Sequence, residues 1–172
     1  MKTITLSIRK LLLLRLNLVI CALSFTIPII VSHPQWITGT VVNCLLYLTA
    51  EKLSKKEILP VIVLPSLGAI TYGVLFGPQT IFLYYFLPFI WVGNYLLISL
   101  FSALKNQNYF IRVVLSSFTK YLFLVVFANI YFGFKIVPKL FITSMGMIQL
   151  VTALSGGILS YFILKFLNKN HE

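Results

Sequence analysis

Few residues in this sequence could do chemistry, and their placement excludes most kinds of it. Among 172 residues the carboxylates are Glu51, Glu57 and Glu172, and the histidines are His33 and His171. All three acids lie at the margins of long apolar runs, two of them in the segment Glu51-Lys52-Leu53-Ser54-Lys55-Lys56-Glu57. A proton or sodium relay, an intramembrane protease and a di-metal centre all need acids inside such runs, as relays, bases or ligands. A serine nucleophile would need a base, yet the two histidines fall on opposite sides of the expected topology. His33 alone would be a metal ligand without partners. Cys21 and Cys44 each sit inside an apolar run with no Cys-x-x-Cys spacing, so they read as small packing residues and not as a disulfide, zinc or iron–sulfur framework. The expectation is a protein that is not an enzyme and has no cofactor and no metal.

What remains is a set of neutral polar groups around one cation. Lys120 lies near the centre of an apolar run, and Asn43, Asn94 and Gln149 lie inside three others. At about 1.5 Å of rise per residue, Asn43, Lys120 and Gln149 fall roughly 10–20 Å below one surface, with Asn94 somewhat deeper. With no acid at that depth, the ammonium must find amide or backbone carbonyls, lipid, or a bound anionic ligand. A candidate ligand site follows: Asn43, Lys120, Gln149 and Asn94 below, capped by His33, Gln35 and Trp36 from the first loop, suited to a small solute offering acceptors or a negative group. The competing expectation is that Lys120 extends its stem to the headgroups while the amides only join helices.

The elements that must hold these residues are helices in a bilayer. The composition is 59% hydrophobic and 10% charged, against about 25% charged in soluble domains, which excludes a water-soluble core-and-shell fold. Six apolar runs cover residues 10–31, 36–50, 58–76, 80–104, 110–132 and 141–167 of a single domain spanning 1–172. A span needs roughly 20 residues, and unbroken rather than alternating apolar runs exclude a β-barrel. The fold expected is all-α, a polytopic bundle of about six transmembrane helices. Lys2, Arg9, Lys10, Arg15, Lys52, Lys55, Lys56, Lys105, Arg112, Lys165 and Lys169 fall on one side of it, Lys135 and Lys139 on the other. Cytoplasmic loops retain cations, so both termini are expected inside. Because the cations sit at the ends of apolar runs and not in a free basic stretch, they read as topology and not as a nucleic-acid surface. The basic first segment resembles a signal peptide, but its apolar run is too long and no small-residue cleavage site follows. Pro65, Pro88 and the pair Gly93-Asn94 interrupt the third and fourth runs, and Thr152/Gly156 and Ala153/Gly157 offer close helix contact in the sixth.

Several ordered landmarks carry a family resemblance. They are His33-Pro34-Gln35 with Ile37-Thr38-Gly39, Pro65-Ser66-Leu67-Gly68-Ala69, Pro88 with Gly93-Asn94, and Gln149-Leu150-Val151-Thr152-Ala153 with Gly156-Gly157. Together with six runs and a polar first loop, they resemble the substrate-binding S components of energy-coupling factor (ECF) transporters and related short bacterial membrane proteins. The resemblance implies a vitamin or similar micronutrient bound from outside, with uptake energised by a separate transmembrane coupling subunit and an ATPase pair. The alanine pair by which the first span of such proteins meets the coupling subunit is absent, only Cys21-Ala22 and Ser24 being small there. The location implied is the cytoplasmic membrane of a bacterium, crossed several times. The alternative carried alongside is a structural or assembly subunit with no ligand of its own.

Overall fold

A computed structural model describes residues 2–31, 33–54, 57–72 and 77–169. His171, Glu172, Lys55, Lys56 and the end of the third apolar run lie outside them. Among the described residues seven α-helices follow one another: α1 (Lys2–Ile30), α2 (Gln35–Lys52), α3 (Ile58–Tyr72), α4 (Leu83–Ala103), α5 (Tyr109–Gly133), α6 (Leu140–Met145) and α7 (Met147–Lys169). A 3₁₀ helix, Gly77–Phe82, leads into α4. There is no strand among the described residues. The protein is all-helical, and among the described residues three stretches, Gly77–Ala103, Tyr109–Gly133 and Leu140–Leu167, are long and apolar enough to cross a membrane. Arg15–Ile30 and Ile58–Thr71 are apolar but shorter.

Packing explains why α2 is the least uniformly apolar of the long helices. It contacts α1, α3, α4 and α7, and every residue from Asn43 to Thr49 is buried. A helix surrounded by other helices turns no broad face outward, so its Thr, Asn and Gly residues meet protein. The remaining strong pairings are α1 with α3 and α4 with α5, and α5 also packs on α7. Outward faces carry large exposed apolar side chains, among them Phe110, Val114, Phe118, Leu122 and Val126 on α5.

Two apolar clusters form the interior. One gathers Leu46, Tyr47, Leu97, Phe101 and Val113, the other Leu83, Phe86, Leu124, Ala128 and Phe141. Along α4, Asn94 separates the residues of the two clusters, and along α5 Lys120 does the same. The polar level is therefore set by position within each helix.

Small residues fix how closely the helices approach. A Cβ at Gly156 of α7 would lie 2.7 Å from both Cys44 N and Thr40 O of α2, and one at Gly39 of α2 would lie 2.9 Å from Thr152 Cγ2. Gly157 is pressed against Val113 of α5. The Gly156 spacing thus joins α7 to α2, and Gly157 joins it to α5. At the opposite margin, Ser54 donates its amide (2.9 Å) and hydroxyl (2.7 Å) to Glu57 Oε2, closing the entry to α3. These bonds hold the Glu57 carboxyl below its usual range.

Gly156→Ala should lower stability by about 1–3 kcal/mol, the usual scale of overpacking, read as a lower midpoint of thermal unfolding in detergent. Gly133→Ala, with nothing within 4 Å of the added Cβ, should leave it unchanged. The Glu57 clasp is complete at neutral pH and is lost as pH falls through the depressed pKa of the folded state. The Ser54 amide resonance should therefore titrate below the ordinary glutamate range, and not at all in Glu57→Gln.

Candidate functional site

Lys120 is the centre of the site. It is 3% exposed on α5, and its ammonium donates to Asn43 Oδ1 of α2 and to Asn94 Oδ1 of α4, each at 2.8 Å. Each asparagine is held in turn. Asn43 Nδ2 donates to Gly39 O at 2.8 Å and Thr152 Oγ1 at 3.2 Å, and Asn94 Nδ2 donates to Ile62 O at 3.0 Å. With both amide nitrogens committed to fixed acceptors, both amide oxygens are aimed at the lysine. An ammonium has three N–H groups, and two have protein acceptors here.

A cavity of about 80 Å³ adjoins this cluster, lined on its polar side by Gln35, Thr38, Asn43, Ser66, Asn94, Lys120, Gln149 and Thr152. Its apolar walls include Pro65, Leu83, Ile90 and Met145. None of the described residues lining it is a carboxylate. All three lining hydroxyls are occupied: Thr38 donates to Val31 O, Ser66 accepts from Trp91 Nε1 at 2.7 Å and donates to Val63 O at 2.9 Å, and Thr152, besides accepting from Asn43, donates to Gln149 O at 3.2 Å. The side-chain amides of Gln35 and Gln149 have no protein partner among the described residues. They are the adaptable polar groups of the cavity.

The structure therefore brings Gln35, Asn43, Asn94, Lys120 and Gln149 around one space and leaves His33 and Trp36 outside it. Trp36 is 58% exposed. Successive residues on a helix are turned by about 100°, so the face of α2 carrying Gln35, Thr38, Gly39 and Val42 into the cavity turns Trp36 away. His33 precedes that helix and is exposed. Of the three residues expected as a cap, His33, Gln35 and Trp36, Gln35 is the one that lines the cavity.

The sixth run is broken where the sequence reads as continuous. Gly146 separates α6 from α7 with φ −97° and ψ −109°, and a Cβ there would lie 2.5 Å from Ile142 O. A fresh helix start results, opened by Leu150 N donating to Gly146 O at 3.2 Å. The first amides of a helix lack intrahelical acceptors and form its positive end. Ile148 and Gln149, the second and third residues of α7, line the cavity.

Below the cavity a polar file continues between α2 and α5. Asn43, Tyr47 and Glu51 recur at four-residue spacing on one helix, and Arg112, Ser116 and Lys120 on the other, so each set shares a face. The helices run in opposite senses and the sets pair across. Next to Lys120–Asn43, the Tyr47 hydroxyl meets Ser116 Oγ at 3.2 Å and Ser117 Oγ at 2.8 Å. Arg112 Nη2 then meets Glu51 Oε1 at 2.6 Å, while its Nε donates to Phe101 O at 3.0 Å and its guanidinium lies 3.8 Å over the Phe101 ring. In the sequence Arg112 counts only as one of the cations on the inner side. The structure buries it, and the four-residue repeat shared with Ser116 and Lys120 was the available signal.

Fold and site together define a class: an all-helical bundle of membrane-crossing character enclosing a lysine-centred cavity that no carboxylate lines among the described residues. No protein-family model, curated protein or solved structure matches this chain.

Asn94→Leu removes one of the two acceptors of Lys120 and should cost about 1–3 kcal/mol, the scale for leaving a buried polar group unsatisfied. Adding Lys120→Met should recover part of that loss, because the orphaned ammonium goes with it. Thermal unfolding of the two single variants and the double variant gives the coupling directly.

Proposed function

We propose that this protein is a membrane-embedded solute-binding subunit of an uptake system, similar in role to ECF S components, and that its solute presents a negative or acceptor-rich group to Lys120. The observation that carries this reading is a buried ammonium beside a cavity, with one N–H unclaimed by the described residues and two unpartnered glutamine amides on the same walls. Keeping a charge in a dry interior costs several kcal/mol unless partners compensate it. A ligand bearing negative charge supplies what two neutral amides do not.

The remaining features agree with this role. On a count of six spans with both termini inside, the cavity would fall in the outer half, because it is lined by the end of α1 and the starts of α2, α4 and α7. Substrate entering from outside meets Gln35 and then Lys120. Energy for release comes from separate ATPase subunits working through a membrane coupling subunit. At about 80 Å³ the cavity is well below the roughly 300–1,000 Å³ typical of pockets for whole organic ligands. It accommodates the recognised anionic group, and the rest of a micronutrient-sized solute requires the walls to part. The break at Gly146 is where the backbone is already interrupted.

One observation favours a structural subunit instead: Lys120 is already clasped by two amides that join α2, α4 and α5. Ligand binding separates the two readings. Protein purified in detergent should gain about 2.7 kcal/mol of stability from its solute at one hundred times Kd, detected by a thermal-shift screen of small carboxylates, oxyanions and vitamins. Lys120→Met should remain folded and lose the response. A full screen with no stabilisation, together with Lys120→Met equal to or more stable than the parent, would establish the structural role.

A further inference from the structure

Charge balance inside the cavity restricts which solute it takes. Lys120 is the single cation among the described residues that line it, and no acid is found among them. The donors left for a ligand are few. Thr38, Ser66 and Thr152 give their hydroxyl protons to backbone carbonyls, and Asn43 Nδ2 has two acceptors for its two N–H groups. Open among the described residues are one ammonium N–H, one N–H of Asn94 and the carboxamides of Gln35 and Gln149. Of these only the ammonium carries a charge. One negative charge on a ligand is therefore neutralised, whereas a second would be desolvated with no cation to meet it. A ligand ammonium fares no better, because no carboxylate lines the space.

The cavity is also divided by polarity. Lys120, Asn43 and Asn94 are joined by hydrogen bonds into one cluster, while Ala69, Leu83 and Met145 reach the cavity from one apolar cluster. An inorganic oxyanion carries acceptors on every side and would leave some of them unpaired against the apolar wall. A carboxylate carries both oxygens at one end, so its carbon body can lie along that wall while the oxygens meet the ammonium and the carboxamides.

We propose, resting on the solute-binding role above, that the cavity selects a monocarboxylate with an apolar body and rejects dianions, zwitterionic amino acids and inorganic oxyanions. Lys120 supplies the one charge. Gln35 and Gln149 supply neutral hydrogen bonds to the carboxylate oxygens, and Leu83 and Met145 contact the carbon chain.

Compounds of one chain length separate these properties: butyrate, succinate, 4-aminobutyrate and butyramide, with sulfate alongside. Each is titrated against the full chain in detergent at neutral pH and constant ionic strength, and the midpoint of thermal unfolding is followed. Butyrate should stabilise the protein at concentrations about tenfold or more below those needed for any of the others, a factor equivalent to about 1.4 kcal/mol. The comparison uses the parent protein, so it stands even where a variant fails to fold; Lys120→Met, if folded, should lose the preference. Succinate, sulfate or 4-aminobutyrate acting as well as butyrate would overturn the selection by charge while leaving solute binding intact. Butyramide matching butyrate, or a preference that survives in Lys120→Met, would overturn the role given to the ammonium. Silence from the whole series would overturn the monocarboxylate assignment, and the broader screen of vitamins and oxyanions then decides separately whether the cavity binds a solute.

Discussion

The arrangement of this bundle rests on the desolvation of one ammonium. Lys120 is removed from water near the middle of α5, and its compensation among the described residues is two asparagine carbonyls on two other helices. That requirement fixes the rotation of α2 and α4, since Asn43 and Asn94 must both face α5, and it fixes their height, since both oxygens must reach one nitrogen at 2.8 Å. Secondary bonds to Gly39, Thr152 and Ile62 remove the freedom of the amides to turn away. Apolar packing alone would specify this geometry less sharply, because leucine-rich faces tolerate small rotations and a three-centre polar contact does not.

The same constraint distributes polarity through the molecule. Polar side chains follow the file from Lys120 through Tyr47 and Ser116 to Arg112 and Glu51, while exposed positions carry Phe, Val, Leu and Ile. In hydrocarbon, apolar packing gives helices no water-exclusion advantage, so close small-residue contacts and interhelical hydrogen bonds must supply cohesion. Gly39, Gly156 and Gly157 supply the first and the paired ladders of α2 and α5 supply the second. No backbone contact between α2 and α5 is needed, because both pack on α4 and α7 and their side chains bridge the gap.

Much of this was legible in the sequence because hydrocarbon leaves the chain few choices. Apart from run ends and the break at Gly146, the described part of every apolar run is helical, and Asn43, Asn94, Lys120 and Gln149 stand out as polar residues in runs that otherwise avoid them. What was illegible concerns direction and interruption. A list of loop residues does not say that Gln35 turns inward while Trp36, one position later, turns out. Gly146 reads as one small residue among several, and only the approach of Ile142 O shows that no side chain fits there. The Ser54–Glu57 clasp was readable as a Ser-x-x-Glu pattern, hidden inside a segment whose charge drew attention to topology. Arg112 was hidden similarly: its charge entered the count that sets topology, whereas its spacing from Ser116 and Lys120 pointed inward.

The position of the break gives the cavity its asymmetry. On three sides the walls belong to continuous helices tied by hydrogen bonds to Lys120 or to each other, so they move only at the expense of those bonds. The remaining side is the junction of α6 with α7, where Gly146 has no side chain to wedge it and the first amides of α7 lack helical acceptors. A negative group arriving beside Lys120 would meet that positive helix end together with the Gln149 amide. Farther along α7, Thr152 is bonded to Asn43, so the interruption at Gly146 lies within about two turns of the fixed network formed by the ammonium, its two asparagines and that hydroxyl.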